Sequence, residues 1–208
     1  MFDLKLISAG LAMGLAIAAP LGPVNIIVMR EVLARGALAG IIAGLGAIAA
    51  DGFFAVVTAF GLKAIMRFFE NCAGPLALIG GVVLVIMGIV TARSRITFGA
   101  TSGSGSAGAW RSTLAAFTTT ITNPGALIGV FAVFAGMSPV LRLADDPSRA
   151  SVAVASFALG GLVWWLVLSL IVSGLRHRLS EKSLNRINRW TGIVIAAFGF
   201  AVLMDVVW

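Results

Sequence analysis

The sequence predicts an all-α integral membrane protein, a bundle of six transmembrane helices. Three observations predict it. Sixty per cent of the 208 residues are hydrophobic and 11% are charged, with a mean hydropathy of +1.06; a soluble domain is nearer a quarter charged. Six apolar runs are long enough to span, given the need for roughly 20 residues per helix: 6–29, 37–62, 73–92, 113–137, 151–175 and 187–208. The connections are short except for 97–109, whose Gly, Ser, Thr and Ala composition reads as a flexible linker.

The first run holds the element around which the others are arranged, Pro20-Leu21-Gly22-Pro23-Val24-Asn25. Each proline removes a backbone donor and clashes with the carbonyl four residues earlier. In hydrocarbon a freed carbonyl costs several kcal/mol unless something meets it. The break therefore belongs against neighbouring helices or a polar cavity. Lys5 and the apolar run after it have some likeness to a cleavable signal, but Asp3 offsets the lysine and the apolar character continues to Met29. A retained helix is the expectation.

The second run carries one acid, Asp51. Its helical face is Gly40, Gly44, Ala47, Asp51, Ala55 and Thr58, small except for the acid. Small residues at this spacing let backbones approach closely, so Asp51 points at another helix or a polar hollow. Gly10-x-x-x-Gly14 and Gly36-x-x-x-Gly40-x-x-x-Gly44 fit close packing in the same way. Cys72, just before the third run, is the only cysteine, which precludes an intrachain disulfide.

The fourth run repeats the theme of the first, with Thr118-Thr119-Thr120-Ile121-Thr122-Asn123-Pro124-Gly125 at its centre. Each patch opens a set of three spans, so the second set would lie inverted: a 3+3 inverted repeat with proline-broken helices 1 and 4. Such paired interruptions point to a transporter's binding site. The chain then divides into a first repeat 1–92, a cytoplasmic linker 93–112 and a second repeat 113–208. The fifth run holds Trp164 and Trp165 near its middle, as packing residues or as a ring offered to a ligand cation. Trp110, Trp190 and Trp208 stand at predicted helix ends, as interfacial residues do.

Net charge is +7, read as topology rather than nucleic-acid binding. Ten cations fall on one side: Arg30, Arg35, Arg93, Arg95, Arg111, Arg176, Arg178, Lys182, Arg186 and Arg189. Five fall on the other: Lys5, Lys63, Arg67, Arg142 and Arg149. The richer side is cytoplasmic by the positive-inside rule, with both termini outside.

The chemistry resides in a few residues. Asp51 is a counter-charge for a substrate ammonium, a proton carrier, or a hydrogen-bonded acid joining helices. Asn25 and Asn123 either contact substrate or bond to carbonyls freed by the adjacent prolines. A broken helix also exposes N–H groups at the start of its second half, which suit a carboxylate. The expected substrate-binding set is Asp51, Asn25, Asn123, Pro20, Gly22, Pro23 and Pro124, holding both ends of a zwitterion. There is no Cys/His cluster for a metal, no P-loop for ATP and no Ser/His/Asp set for hydrolysis. His177, flanked by two arginines, and Asp205 read as solvated or interfacial. No cofactor, metal or nucleic-acid partner is expected, and the partners are a small-molecule substrate and the bilayer; association as a homodimer is left open.

Pro20-Leu21-Gly22-Pro23-Val24-Asn25, then Arg35-Gly36-x3-Gly40, Gly44-Leu45-Gly46-Ala47 and Asp51-Gly52, resemble the N-terminal signature of the lysine exporter (LysE/RhtB) family of amino-acid efflux proteins. Thr122-Asn123-Pro124 is similar to that family's second motif. Leu21 lengthens the usual Pro-Gly-Pro, and Gly125 stands where lysine is common. The resemblance implies export of amino acids across the bacterial inner membrane, driven by proton motive force, and a transporter rather than an enzyme. Alternatives left open are an exporter of another small ion or metabolite and a non-enzymatic membrane assembly protein.

Overall fold

Backbone breaks at the prolines set the architecture. In the computed structural model the backbone is described for residues 4–20, 22–93, 106–141, 143, 146–175 and 181–207. Side chains at 62–77, 79, 80, 84, 106–109, 139, 140, 181, 183, 184, 187, 198, 202 and 205–207 lie outside that description. Among the described residues seven helices follow in order: α1 Leu4–Ala18, α2 Pro23–Arg35, α3 Ala37–Arg93, α4 Ser106–Ile121, α5 Pro124–Leu141, α6 Pro147–Leu175 and α7 Glu181–Val207. Among the described residues there is no strand. The side chains of Cys72 and Asp205, all of His177 and Trp208, and residues 97–105 of the expected linker fall outside the described residues.

Pro23 and Pro124 each occupy the first position of a helix, where the missing N–H is no loss. The chain bends 84° between α1 and α2, and 66° between Trp110–Ile121 and Pro124–Ser138. Among the described residues, Ala37–Gly61 and Pro147–Leu175 are long and apolar enough to cross a membrane by themselves. Counting each bent pair as one span makes four.

Several boundaries differ from the sequence reading. Arg30 and Arg35, expected in a connection, lie on α2, and Gly36 alone separates α2 from α3. Gly36 turns the chain at φ 90°, a conformation that favours glycine, and its N–H donates to Val32 O at 2.8 Å. The runs 37–62 and 73–92, expected as separate helices, both fall within α3, with no non-helical residue between them. Ala47 and Asp51 nevertheless line the same cavity as Met87 and Thr91. Forty residues of straight helix would extend about 60 Å, so the axis of α3 must double back between them. α4 begins at Ser106, so 106–112 are helical rather than linker; helix satisfies the backbone of a segment entering the bundle, whatever its glycine content. α7 starts at Glu181, which places Trp190 within the helix and Lys182, Arg186 and Arg189 on it. Trp110 and Trp190 remain largely exposed.

Small residues bring the helices together. A Cβ on Gly14 would lie 2.0 Å from the Phe157 carbonyl oxygen, and one on Gly160 2.2 Å from that of Leu11. These two glycines let α1 and α6 touch backbone to backbone. Gly46 does the same for α3 against Thr113 of α4, and Gly88 and Gly192 for the end of α3 against α7. Asn188 of α7 adds a hydrogen bond from Nδ2 to Thr91 O at 2.7 Å. α6 begins with Pro147 and is capped by Asp146, whose Oδ1 accepts from Ser148 N–H at 2.8 Å. Hydrogen bonds from the Ser148 hydroxyl and N–H hold the Asp146 carboxyl below its ordinary range.

The large apolar side chains divide between two places. Phe53, Val56, Val57 and Phe60 of α3 and Leu159, Val163, Val167 and Leu170 of α6 face outward, which suits lipid. Two interior clusters hold the bundle. One joins Leu6 and Met13 of α1, Phe54, Ala55 and Ala59 of α3, Val130 and Phe134 of α5, and Phe157 of α6. The Phe134 and Phe157 rings meet edge-on at 5.4 Å. The other joins Val28, Met29 and Val32 of α2, Ala43 and Ala47 of α3, and Trp165, Leu168 and Val172 of α6. α3 runs through both, and Asp51 falls between its contributions to them.

Gly14→Ala should force α1 from α6 and cost about 1–3 kcal/mol. Gly136→Ala, where a Cβ meets nothing within 4 Å, should be neutral or mildly stabilising. Thermal unfolding of the two variants in detergent checks the contrast.

Candidate functional site

The two bends converge on one cavity of about 350 Å³, at the small end of the range for ligand pockets. α1 and the first break contribute Ala16, Ile17, Ala18, Pro20, Gly22, Pro23, Val24 and Asn25. The second break contributes Thr120, Asn123, Gly125, Ala126 and Gly129. α3 supplies Ala47, Asp51, Met87 and Thr91, α6 supplies Trp165, and α7 supplies Ile195. Of the seven residues expected from sequence, six line this cavity: Asp51, Asn25, Asn123, Pro20, Gly22 and Pro23. Pro124 is adjacent to it in sequence but does not line it.

The inward face of α3 is built as its periodicity predicts. Gly40 packs against Val32 and Ser169, and Gly44 against the Trp165 ring. Ala47, Ala55 and Thr58 are buried, with the Thr58 hydroxyl donating to Phe54 O at 2.7 Å. Asp51 continues this face into the cavity. Its Oδ1 is buried and has no hydrogen-bond partner among the described residues. A buried carboxylate oxygen without a donor is costly, so the position calls for a donor or cation from a ligand, or for a proton.

Both asparagines serve the breaks. Asn25 Nδ2 donates to Pro20 O at 2.9 Å. Its Oδ1 accepts from Trp164 Nε1 at 3.2 Å, which ties the first break to α6. Asn123 Oδ1 accepts from Gly125 N–H at 3.0 Å and caps α5. The start of α2 has no side-chain cap, because its N-cap is Gly22. The two helix starts are thus unequal: Asn123 has already answered one N–H of α5, whereas the first N–H groups of α2, those of Val24 and Asn25, have no side-chain cap from Gly22.

Sequence reasoning left three features out of the expected site. Thr120 and Trp165 are 3% and 2% exposed and line the cavity. Thr120 Oγ1 and Trp165 Nε1 are buried without partners among the described residues. The polar run 118–120 and the mid-helix tryptophan pair were visible in sequence, but nothing there distinguishes Thr120 from Thr119 or Trp165 from Trp164. The third feature is Glu31, an acid 1% exposed on α2. It pairs with Arg35, whose Nε donates at 2.6 Å, and it accepts a hydrogen bond from the Ser112 hydroxyl of α4. The Glu31–Arg35 spacing of four is readable as a helical pair; its burial depends on α4, 81 residues away. This cluster fastens the second half of one bent pair to the first half of the other.

Residues 15–206 match the family model described as LysE type translocator. The chain is also 25% identical over 193 residues to a protein of Bacillus subtilis (strain 168) named "Putative amino acid efflux protein YcgF", a similarity covering 91% of each chain. No solved structure matches the chain.

Removing one partner of a buried ion pair leaves the other charge uncompensated. Arg35→Met should therefore destabilise by about 3–5 kcal/mol, and the double variant Glu31→Gln with Arg35→Met by less. Denaturant or thermal unfolding of the purified variants measures both.

Proposed function

The chain belongs to the LysE type translocator family, and on that premise we propose that it is a secondary transporter exporting an amino acid or related small zwitterion across the bacterial inner membrane. Membership supports reading it as a transporter rather than an enzyme, a multi-pass membrane protein that acts on a small molecule. One observation carries the proposal further: where the two bent helix pairs meet, Asp51 Oδ1 is buried in a cavity without a partner among the described residues.

A ligand ammonium placed against Asp51 answers that oxygen with a charge-assisted hydrogen bond. The uncapped start of α2 beside Gly22 and Pro23 supplies partial positive charge for the ligand's carboxylate. Asn25 and Asn123 hold the two breaks in shape, so they position the walls against which substrate rests. When no ammonium is present, a proton on Asp51 serves the same end, and the exchange of one for the other couples export to the proton gradient. Nothing in the sequence provides for ATP as an alternative source of energy.

The span count follows the same logic. Each bent pair is one interrupted span, α3 supplies two passes by doubling back, and α6 and α7 complete six. The bent pairs stand first in each set of three and are related as an inverted repeat, with the site at their interface. The cation-rich side, including 97–109, is cytoplasmic.

Two outcomes are expected. Asp51→Asn should abolish efflux from loaded cells while the protein remains inserted and folded; full transport by that variant sinks the assignment of Asp51. A reporter fused within 97–109 should respond from the cytoplasm, and a periplasmic signal reverses the orientation.

A further inference from the structure

The cavity contains more unanswered polar atoms than Asp51 alone, and their chemistry restricts what can occupy it. Trp165 Nε1 and Thr120 Oγ1 belong to nearly fully buried residues that line the cavity, and neither atom has a partner among the described residues. An indole N–H only donates, so whatever answers it must bring an acceptor. A threonine hydroxyl can donate to that same acceptor. Asp51, on α3, requires a donor or a cation. A ligand carrying a cation at one end and a two-oxygen acceptor at the other satisfies all three.

The spacing is compatible with a short ligand. Trp165 packs its ring against Gly44. Gly44 and Asp51 are seven residues apart on one helix, about 10 Å along its axis, and Trp165 and Asp51 line the same cavity. Two hydrogen bonds of about 2.9 Å each, joined by the backbone of an α-amino acid, bridge a gap of this order.

The rest of the wall selects the side chain. Ile17, Val24, Ala47, Met87, Ala126 and Ile195 make it apolar, and among the described residues that line the cavity Asp51 is the one charged residue. A ligand with a second ammonium, a guanidinium or a second carboxylate would bury a charge with no partner, which is far costlier than burying a methyl group. We propose that Trp165 and Thr120 form the carboxylate subsite of a transporter selective for α-amino acids with apolar side chains, and that basic and acidic amino acids are rejected. The proposal deepens the export reading and rests on it.

Binding to the purified protein in detergent provides the test, with four probes: leucine; lysine; 3-methylbutylamine, which is leucine without its carboxylate; and 4-methylpentanoate, which is leucine without its ammonium. Leucine should bind at least tenfold more tightly than each of the other three. Trp165→Phe keeps the ring and removes the N–H; it should weaken leucine binding roughly tenfold, the scale of a lost hydrogen bond to a charged group, and leave 3-methylbutylamine unchanged. Thr120→Val should act in the same direction and Thr120→Ser should restore leucine binding, so a folding failure in one variant leaves the other to decide. Lysine bound as tightly as leucine overturns the selectivity, and the chain remains an amino-acid exporter. Equal weakening of leucine and 3-methylbutylamine by the Trp165 and Thr120 variants overturns the carboxylate subsite. Binding of none of the probes, together with no amino-acid efflux from cells, overturns the export reading as well.

Discussion

The structure depends on satisfying the backbone where two helices are interrupted inside the bundle. At each interruption an asparagine stands within a few residues of a proline and answers a main-chain group that the break releases. Asn25 donates to the Pro20 carbonyl and Asn123 accepts from the Gly125 N–H. Without these bonds the bends would leave polar groups unpaired in an apolar surrounding, at a cost of several kcal/mol each. With them, chain segments that cannot be helical are held still, and the space beside them becomes a cavity rather than a defect.

The cavity stays open because of how its neighbours pack. Glycines at Gly10, Gly14 and Gly160 draw α1 and α6 together, and Gly44 and Gly46 draw α3 toward α6 and α4. Two apolar clusters then close on either side, one built on Phe134 and Phe157 and the other on Val28, Met29 and Trp165. α3 crosses from one to the other, and Asp51 lies at the crossing. An acid at that point is tolerable in the proposed role of admitting a charged or polar molecule there.

The Glu31, Arg35 and Ser112 cluster belongs to a different part of the same design. It joins α2 to α4 away from the cavity wall, so the two bent pairs are linked at a charged contact as well as through the cavity. A buried ion pair is weak evidence for stability and better evidence for register: it fixes which residues of α2 lie against α4. Movement of one bent pair relative to the other has to carry this contact along or break it.

The sequence by itself determined the properties that arise from local chemistry. Proline removes a donor wherever it stands, so the bends at Pro23 and Pro124 were legible. Helical periodicity turns every third or fourth residue to one side, so the small inward face that carries Asp51 was legible too. Composition established a membrane protein. The tertiary structure decided everything that depends on distant segments meeting. It brought the two breaks to one cavity, gave Asn25 a partner in Trp164, buried Glu31 beneath Ser112, doubled α3 back on itself, and left Trp165 and Thr120 with buried polar atoms unanswered among the described residues. Whether a buried polar atom finds a partner is a property of the packed neighbours around it, and those neighbours are separated by scores of residues along the chain.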